Sequence, residues 1–410
     1  MARMILILVL CLLGSGHVTL ADDALVLPQG RWHLSAEARF SLPITRRFTP
    51  EGGTEDLAAD FNRELNSTVF PDLQLVEAAF RLPEGSATFG RSVVTFEQHM
   101  QIYTLRAAYG LTDRLSLGVR VPYWTQENQV QAALDNRTAT VGFNPAVPGG
   151  IAPLGVPGTR PPTTEDIQAF VERLGFRRVE TWSDASLSDS FAGAKYQYYR
   201  SAHWRLAATG RVRFPTGRWD DPNNLVDFPT GFDAWGLGLE LHQDFVWQRP
   251  GLTRQLGVLT TGEVVLNTRF QYEALFPDTK PFRVCPIHQP ICPNFDPQVH
   301  RDLGDLVEAE IAGTVGLLPG LTLRPMYTYT HKFQDQFRGE RGFDYGQLQA
   351  QTATDFHTLE LRLAYHTGLL VAQQRFPVPL SLEVRYMDRI AGTNNRLVIR
   401  TLGVILAATW

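Results

Sequence analysis

Residues 395–410 read NRLVIRTLGVILAATW, and this stretch poses the choice of fold. Apolar side chains fall at every second position, Leu402, Val404, Leu406 and Ala408, and the segment ends on Trp410. Period two is the mark of a strand with one greasy face. An aromatic at the end of such a strand suits the boundary between acyl chains and headgroups, where a ring is half in each. The last strand of a soluble sandwich has the same form, so the rest of the chain must decide.

The start of the chain reads as an export signal. Arg3 supplies a positive charge, Met4 to Leu13 is an apolar run, and Thr19-Leu20-Ala21 before Asp22-Asp23 is a small-residue cleavage site. Ten apolar residues are too few to span a bilayer as a helix. Residues 1–21 are therefore expected to be a secretory signal peptide, with Cys11 inside it, and 22–410 a single domain. No later run of eighteen apolar residues exists, so a membrane protein of this sequence must be a closed barrel. The formal charge of -4 gives no footprint for nucleic acid.

Period two predicts twelve strands, near 30–41, 93–109, 114–124, 187–200, 203–214, 233–247, 252–267, 304–317, 321–334, 355–367, 378–390 and 396–410. The connections alternate in length. Short ones fall at Gly110 to Asp113, Ser201-Ala202, Arg249 to Gly251, Leu318 to Gly320 and 368–377, rich in turn formers. Long ones fall near 42–92, 125–186, 215–232, 268–303 and 335–354. Short turns on one side and long loops on the other are the asymmetry of an outer-membrane barrel. The predicted fold class is all-β: a transmembrane antiparallel β-barrel of about twelve strands with long extracellular loops. Its expected partners are outer-membrane lipid and lipopolysaccharide, the barrel-assembly machinery through the C-terminal strand, and a small-molecule cargo.

The faces separate by charge. In RLSLGVRVPY, Leu115, Leu117, Val119, Val121 and Tyr123 oppose Ser116, Gly118 and Arg120. In HTLELRLAYH, Leu359, Leu361, Leu363 and Tyr365 oppose Glu360, Arg362 and His366. An arginine facing lipid at midplane costs about 2–4 kcal/mol, so the charged set must face inward. The expected pore-lining residues are Arg106, Arg120, Lys195, Arg205, Arg211, Arg213, Glu240, Glu263, Glu308, Glu310, Arg324, Glu360, Arg362, Glu383 and Arg385, with Glu37 and Arg39 on the same parity. Arginines concentrate in strands three to five and carboxylates in strands six to eight. That favours segregated walls with a transverse field; the plainer reading is a network of ion pairs. Arg400, His99 and Gln101 fall on the outward parity, to be accommodated by bulges or by positions above the bilayer core.

Cys285 and Cys292, in CPIHQPIC, are expected to form a local disulfide in an oxidising compartment. The rival is a metal site with His288. In the loops, Thr163 or Thr164 opens a short amphipathic helix ending at Gly175, in a loop expected to fold partly inward. A second helix is expected around Thr54 to Leu65, capped by the Thr-Glu-Asp-Leu run; the apolar residues Val69, Phe70, Leu73, Leu75, Val76 and Phe80 that follow read as ordinary loop packing, the plainer account, or as a greasy patch near the mouth. Asp220, Asp221, Asn223, Asn224 and Asp227 raise the possibility of calcium binding. No cofactor is expected. No GxSxG, HExxH or phosphate loop is present. The enzyme alternative, a lipid or peptide hydrolase, rests on His331, His357, Asp335 and Asp355 near strand tops.

Three stretches resemble a known family: TLRAAYGLTDRLSLGVRVPYW, DASLSDSFAGAKYQYYRSAHWRLAATGRVRFPTG and DDPNNLVDFPTGFDAWGLGLEL, within 104–241. The resemblance is to the outer-membrane channel family named after the MetA pathway of phenol degradation. It implies a barrel that passes small, often hydrophobic or aromatic, compounds, and it supplies no catalytic residues. Fatty-acid and hydrocarbon transporters are a neighbouring possibility. Those carry an N-terminal hatch, and only about eight residues precede the first strand here. The function read from the sequence is passive uptake of small molecules, with an outer-membrane hydrolase or a closed structural or adhesive barrel as alternatives.

Overall fold

The computed structural model describes residues 23–248, 263–285 and 291–410. The signal segment 1–21, the turn at 249–251, the start of the seventh expected strand and His288 lie outside the described residues.

Twelve strands form one closed antiparallel meander. They are β1 (Trp32–Ser41), β2 (Thr88–Thr112), β3 (Leu115–Asp135), β4 (Ser190–Arg200), β5 (Trp204–Phe214) and β6 (Gly236–Gln248). The second half comprises β7 (Glu263–Leu275), β8 (Leu306–Leu318), β9 (Leu321–Lys332), β10 (Thr354–His366), β11 (Leu380–Gly392) and β12 (Arg400–Thr409). Each pairs with its neighbours in sequence, and β12 returns to β1 in the register His33↔Thr409 to Ser41↔Thr401. The backbones of Trp32 and Trp410 exchange both hydrogen bonds at the seam, at 2.8 and 3.0 Å. No sheet edge is left in the barrel wall, which lipid requires.

Eleven of the expected strands match to within a few residues at the end that bears on the wall, and the seventh does not. It runs on to Leu275, so the loop expected from 268 begins only after it. The second and third strands are longer than expected. Their register is continuous from Arg91↔Asp135 to Gly110↔Ser116, so a ribbon stands well above the wall, flanked by short strands at Glu64–Asn66 on one side and Trp182–Leu187 on the other. His99 and Gln101 sit on the outward face of that ribbon, above the span, without a bulge. Arg400 lies at the upper end of β12 and meets Asp388 at 3.3 Å.

The outer wall is apolar. Leu105, Leu237 and Leu406 are 65%, 54% and 53% exposed, and Leu361, Leu382 and Val404 share that face. Aromatics ring this belt at two levels. Trp32, Tyr196, Trp204, Trp247 and Tyr365 mark the side of the short turns, and Phe40, Tyr103, Trp235, Phe333 and Tyr386 the side of the long loops. From Trp32 to Phe40 the strand climbs about 26 Å at ~3.3 Å per residue, a span that fits hydrocarbon thickness once strands tilt.

The long loops fold into a cap. Helix α1 (Asp72–Phe80) and helix α2 (Thr164–Arg173) pack Leu73, Val76, Phe170 and Val171 with Phe70, Phe89 and Val141 in a buried core. Thr163 caps α2 in a capping box with Asp166, and Gly175 beyond it has φ +84°. The helix expected at 54–65 is absent: Thr54–Asp56 and Glu64–Asn66 are short strands. The apolar run that follows packs as the plainer account has it: Val69, Phe70, Leu73 and Val76 are buried in the cap core, Phe80 packs against them and Leu75 is exposed. A three-stranded sheet, Asp278–Arg283, Phe295–Asp302 and Gln336–Arg338, completes the cap. Cys285 and Cys292 are disulfide-bonded beside it, with Cα atoms 5.6 Å apart.

Leu361, on the lipid face near mid-height, gives a direct test of orientation. Leu361→Arg is expected to lower unfolding free energy by about 2–4 kcal/mol, and Leu361→Ile by under about 1.5 kcal/mol. Urea titration of the folded, heat-modifiable band in lipid vesicles reads both.

Candidate functional site

Alternation along each strand turns the charged set into the barrel. There they border a cavity of about 750 Å³. Arg106, Arg120, Lys195, Arg211, Arg213, Glu240, Glu308, Glu310, Glu360, Arg362, Glu383 and Arg385 line it. Arg205 shares the inward parity and stands in register with Asp244, outside the cavity lining. Arg324 is buried behind Glu310, at 3.6 Å. Glu263 is placed by register opposite Gln248.

The charges are interlocked, as in the ion-pair reading of the sequence, rather than segregated into a basic and an acidic wall. Glu37, with 1% of its side chain exposed, receives Arg39 at 2.8 Å, Arg106 at 2.7 Å and Arg385 at 2.9 Å. Arg385 also reaches Glu360 at 3.2 Å, and Arg362 bonds Glu360 and lies 3.7 Å from Glu383. Across the lumen, Arg211 bridges Glu240 at 2.8 Å and Glu273 at 2.7 Å. Arg213 joins Glu273 at 2.8 Å and Asp189 at 3.1 Å. Arg269 holds Glu308 and, at 2.8 Å, Glu310. Sequence reading missed Arg269 and Glu273 because it ended the seventh strand too early. Their alternation with Phe270 and Tyr272 was the available signal.

Two glycines make the network possible. A Cβ on Gly403 would lie 2.8 Å from Cγ of Arg385, which crosses β12 to reach Glu37. A Cβ on Gly238 would lie 2.8 Å from Cγ of Arg211. Long guanidinium arms therefore lie flat on the wall and leave the centre open. Arg120 projects into the cavity with its guanidinium 5.5 Å from the Phe191 ring centroid.

The short segment before β1 enters the barrel at the end of the short turns. Asp23, Ala24 and Leu27 are buried. Ser116 accepts from the Leu27 amide at 2.8 Å, and Asp244 accepts from the Ala24 amide at 3.0 Å. Lys195 donates to the Asp23 carbonyl at 2.7 Å, and Gln197 to the Ala24 carbonyl at 2.6 Å. Asn267 fixes Asp244 at 2.7 Å. Side chains of β3, β4 and β6 thus hold one extended piece of backbone inside the barrel, with Asn267 of β7 supporting Asp244.

At the other end, residues 136–181 do not line the lumen; they build the cap, contrary to the expected inward fold. The loop after β5 covers the mouth instead. Gln126 donates to the Phe228 carbonyl at 2.7 Å and Asn128 to that of Val226 at 2.5 Å. Arg218 organises this loop, donating to Asp184 at 2.7 Å and to both oxygens of Asp227 at 2.5 Å. Internal cations take several of the oxygens that suggested calcium: Arg218 holds Asp227, Arg177 meets Asp221 at 2.8 Å and Arg283 donates to Asn223 at 2.8 Å; among the described residues no group of three histidines, cysteines or carboxylates is placed to hold a metal. Burial, with the Asp227 charge beside it, pushes the Asp220 carboxyl up to about 8.

His331 and Asp355 do meet, at 2.8 Å, and Tyr329 donates to Asp355 at 2.5 Å. The pair lies on the outward parity of β9 and β10, away from the lumen, while His357 bonds Tyr327 and Asp335 is taken by Lys332 and the Gly304 amide.

No protein-family model matches the sequence, and no curated protein matches it. Solved structures share the fold. An outer-membrane channel from Pseudomonas putida aligns over 97% of this chain and 100% of its own, with TM-score 0.51 and 11% identity. A Pseudomonas aeruginosa FadL homologue aligns over 93% and 90%, with TM-score 0.32 and 12% identity. The toluene transporter TbuX of Ralstonia pickettii aligns over 93% and 90%, with TM-score 0.34 and 10% identity. The first similarity shows an outer-membrane barrel fold; the other two are too remote to add to it.

Glu37→Gln removes the charge that three arginines share. Breaking a buried pair costs about 3–5 kcal/mol, and a fall of that size in vesicle unfolding is expected. For Asp220 the folded state holds a proton that the unfolded chain releases from about pH 4 upward, so the loop loses stability as pH rises to about 8 and then levels off. Asp220→Asn is expected to match the wild type at pH 4 and to protect residues 219–231 from amide exchange several-fold better at pH 8.

Proposed function

We propose that this protein is a passive outer-membrane channel for small molecules. The observation that carries the reading is the charged, water-accessible cavity inside a barrel whose outside is greasy. A solid core would need no such lumen, and charged side chains lying flat on the wall leave room along the axis. Solute passes by diffusion, selected by size and by the interlocked ions, without coupling to an energy source and without catalysis. The resemblance of 104–241 to the phenol-degradation channel family supports small hydrophobic or aromatic compounds as cargo. The signal-like residues 1–21 fit export, and the β12 sequence fits recognition by the barrel-assembly machinery. Lipopolysaccharide and outer-membrane lipid would then surround the apolar belt.

The buried segment 23–27 favours a second reading, a barrel closed at rest. The two readings separate in planar bilayers. Wild-type protein is expected to give small conductance steps, and removal of residues 23–28 to raise them several-fold. Glu37→Gln is expected to shift the reversal potential toward anion preference. Silence from both the wild type and the shortened chain, together with no solute uptake by liposomes, rejects the channel.

A further inference from the structure

A second cavity, of about 350 Å³, lies in the cap above the lumen. Phe61, Val69, Phe70, Phe96, Val171 and Leu397 are among its walls. Most belong to the two apolar clusters of the cap, so the cavity sits where those clusters meet. Phe96 meets Phe61 and Phe228 edge-on, with ring centroids 6.4 and 5.9 Å apart. Charge enters the lining in two places: Arg47 pairs with Asp60 at 2.5 Å, with Arg63 3.5 Å from it, and Asp227 is held by Arg218. Asp60 is 58% exposed in its side chain, so its side of the cavity faces solvent.

Water is held poorly by such walls, since it needs two to four polar partners. An apolar cavity of about 150 Å³ already accepts benzene. Aromatic rings prefer the offset and edge-on contacts that these phenylalanines present. Below the cavity, Leu397 packs with both the cap cluster and a layer of Ile44, Met100, Met387, Ile399 and Trp124. Trp124 and Met387 in turn line the lumen. One thin apolar layer, with two pliable methionines, separates cavity from lumen.

We propose that this cap cavity is a capture site for a one- or two-ring aromatic hydrocarbon, taken from outside and handed to the lumen across that layer. The site stands on its own geometry; its role in uptake rests on the channel reading. The test uses full-length protein in lipid vesicles and the apolar photoprobe 3-trifluoromethyl-3-phenyldiazirine, with labelled peptides mapped by mass spectrometry. Label is expected on peptides covering 57–70 and 130–134, reduced at least tenfold by excess toluene but unchanged by glucose. Ala132→Trp and Ile167→Trp fill the cavity from different elements, and each is expected to lower cap labelling at least tenfold. Labelling of the lipid-facing peptide 359–363 should stay constant and reports that each variant is folded. Absence of cap labelling, or labelling that toluene does not displace, overturns the site. Conductance of the same preparations is scored separately. A labelled cap on a protein that is silent with and without residues 23–28 and passes no solute into liposomes rejects the channel and keeps the site; a conducting protein with an unlabelled cap does the reverse.

Discussion

Hydrocarbon offers no hydrogen bonds, and the whole molecule follows from that. Every amide in the wall must find its partner in a neighbouring strand, so the meander closes where β12 meets β1. Closure fixes two faces, and period two assigns each side chain to one of them. Leucine and valine go to lipid, and charge goes to the axis. Aromatics gather at the two levels where lipid changes character, as Trp32 and Phe40 do on one strand.

Once inside, the charges need each other. An isolated guanidinium in a narrow lumen loses much of its hydration, and paired carboxylates replace it. The pairing runs across strands: Glu37 on β1 is met from β2 and from β11, and Arg211 on β5 reaches β6 and β7. These ties cross the backbone ladder and resist shear between strands. Their reach depends on absent side chains at Gly403 and Gly238, so the smallest residues in the wall set the course of the largest.

Much of this was legible in the chain. Alternation located the strands, and the alternation of connection lengths set the two ends of the barrel. The parity of Arg106, Glu240, Glu360 and Arg385 placed them on the lumen side. Ion pairing was not legible, because parity gives a face and not a neighbour across two strands. In RFQYEAL (269–275), inward Arg269 and Glu273 gave a polar look that reads as loop unless its outward Phe270 and Tyr272 are weighed. The helix placed at 54–65 followed a capping pattern and a stripe of Leu57, Phe61 and Leu65, but short strands and turns bury Leu57 and Leu65 and half-bury Phe61; α1 carries the stripe Leu73, Val76 and Phe80. Counting oxygens at 219–231 suggested a cation, and the cations that meet Asp227, Asp221 and Asn223 are Arg218, Arg177 and Arg283. Nothing in residues 23–27 announces that they lie inside, since their backbone is what is gripped.

The seam joins the parts of the wall farthest apart along the chain: His33 and Thr409, whose side chains meet at 3.0 Å, are 376 positions apart. Contacts between such distant residues are entropically the last to form. Until β12 docks, β1 exposes an unpaired edge, a cost that hydrocarbon cannot relieve. Insertion and completion are thus one event, and a fault confined to ten residues at one end is felt by the entire wall.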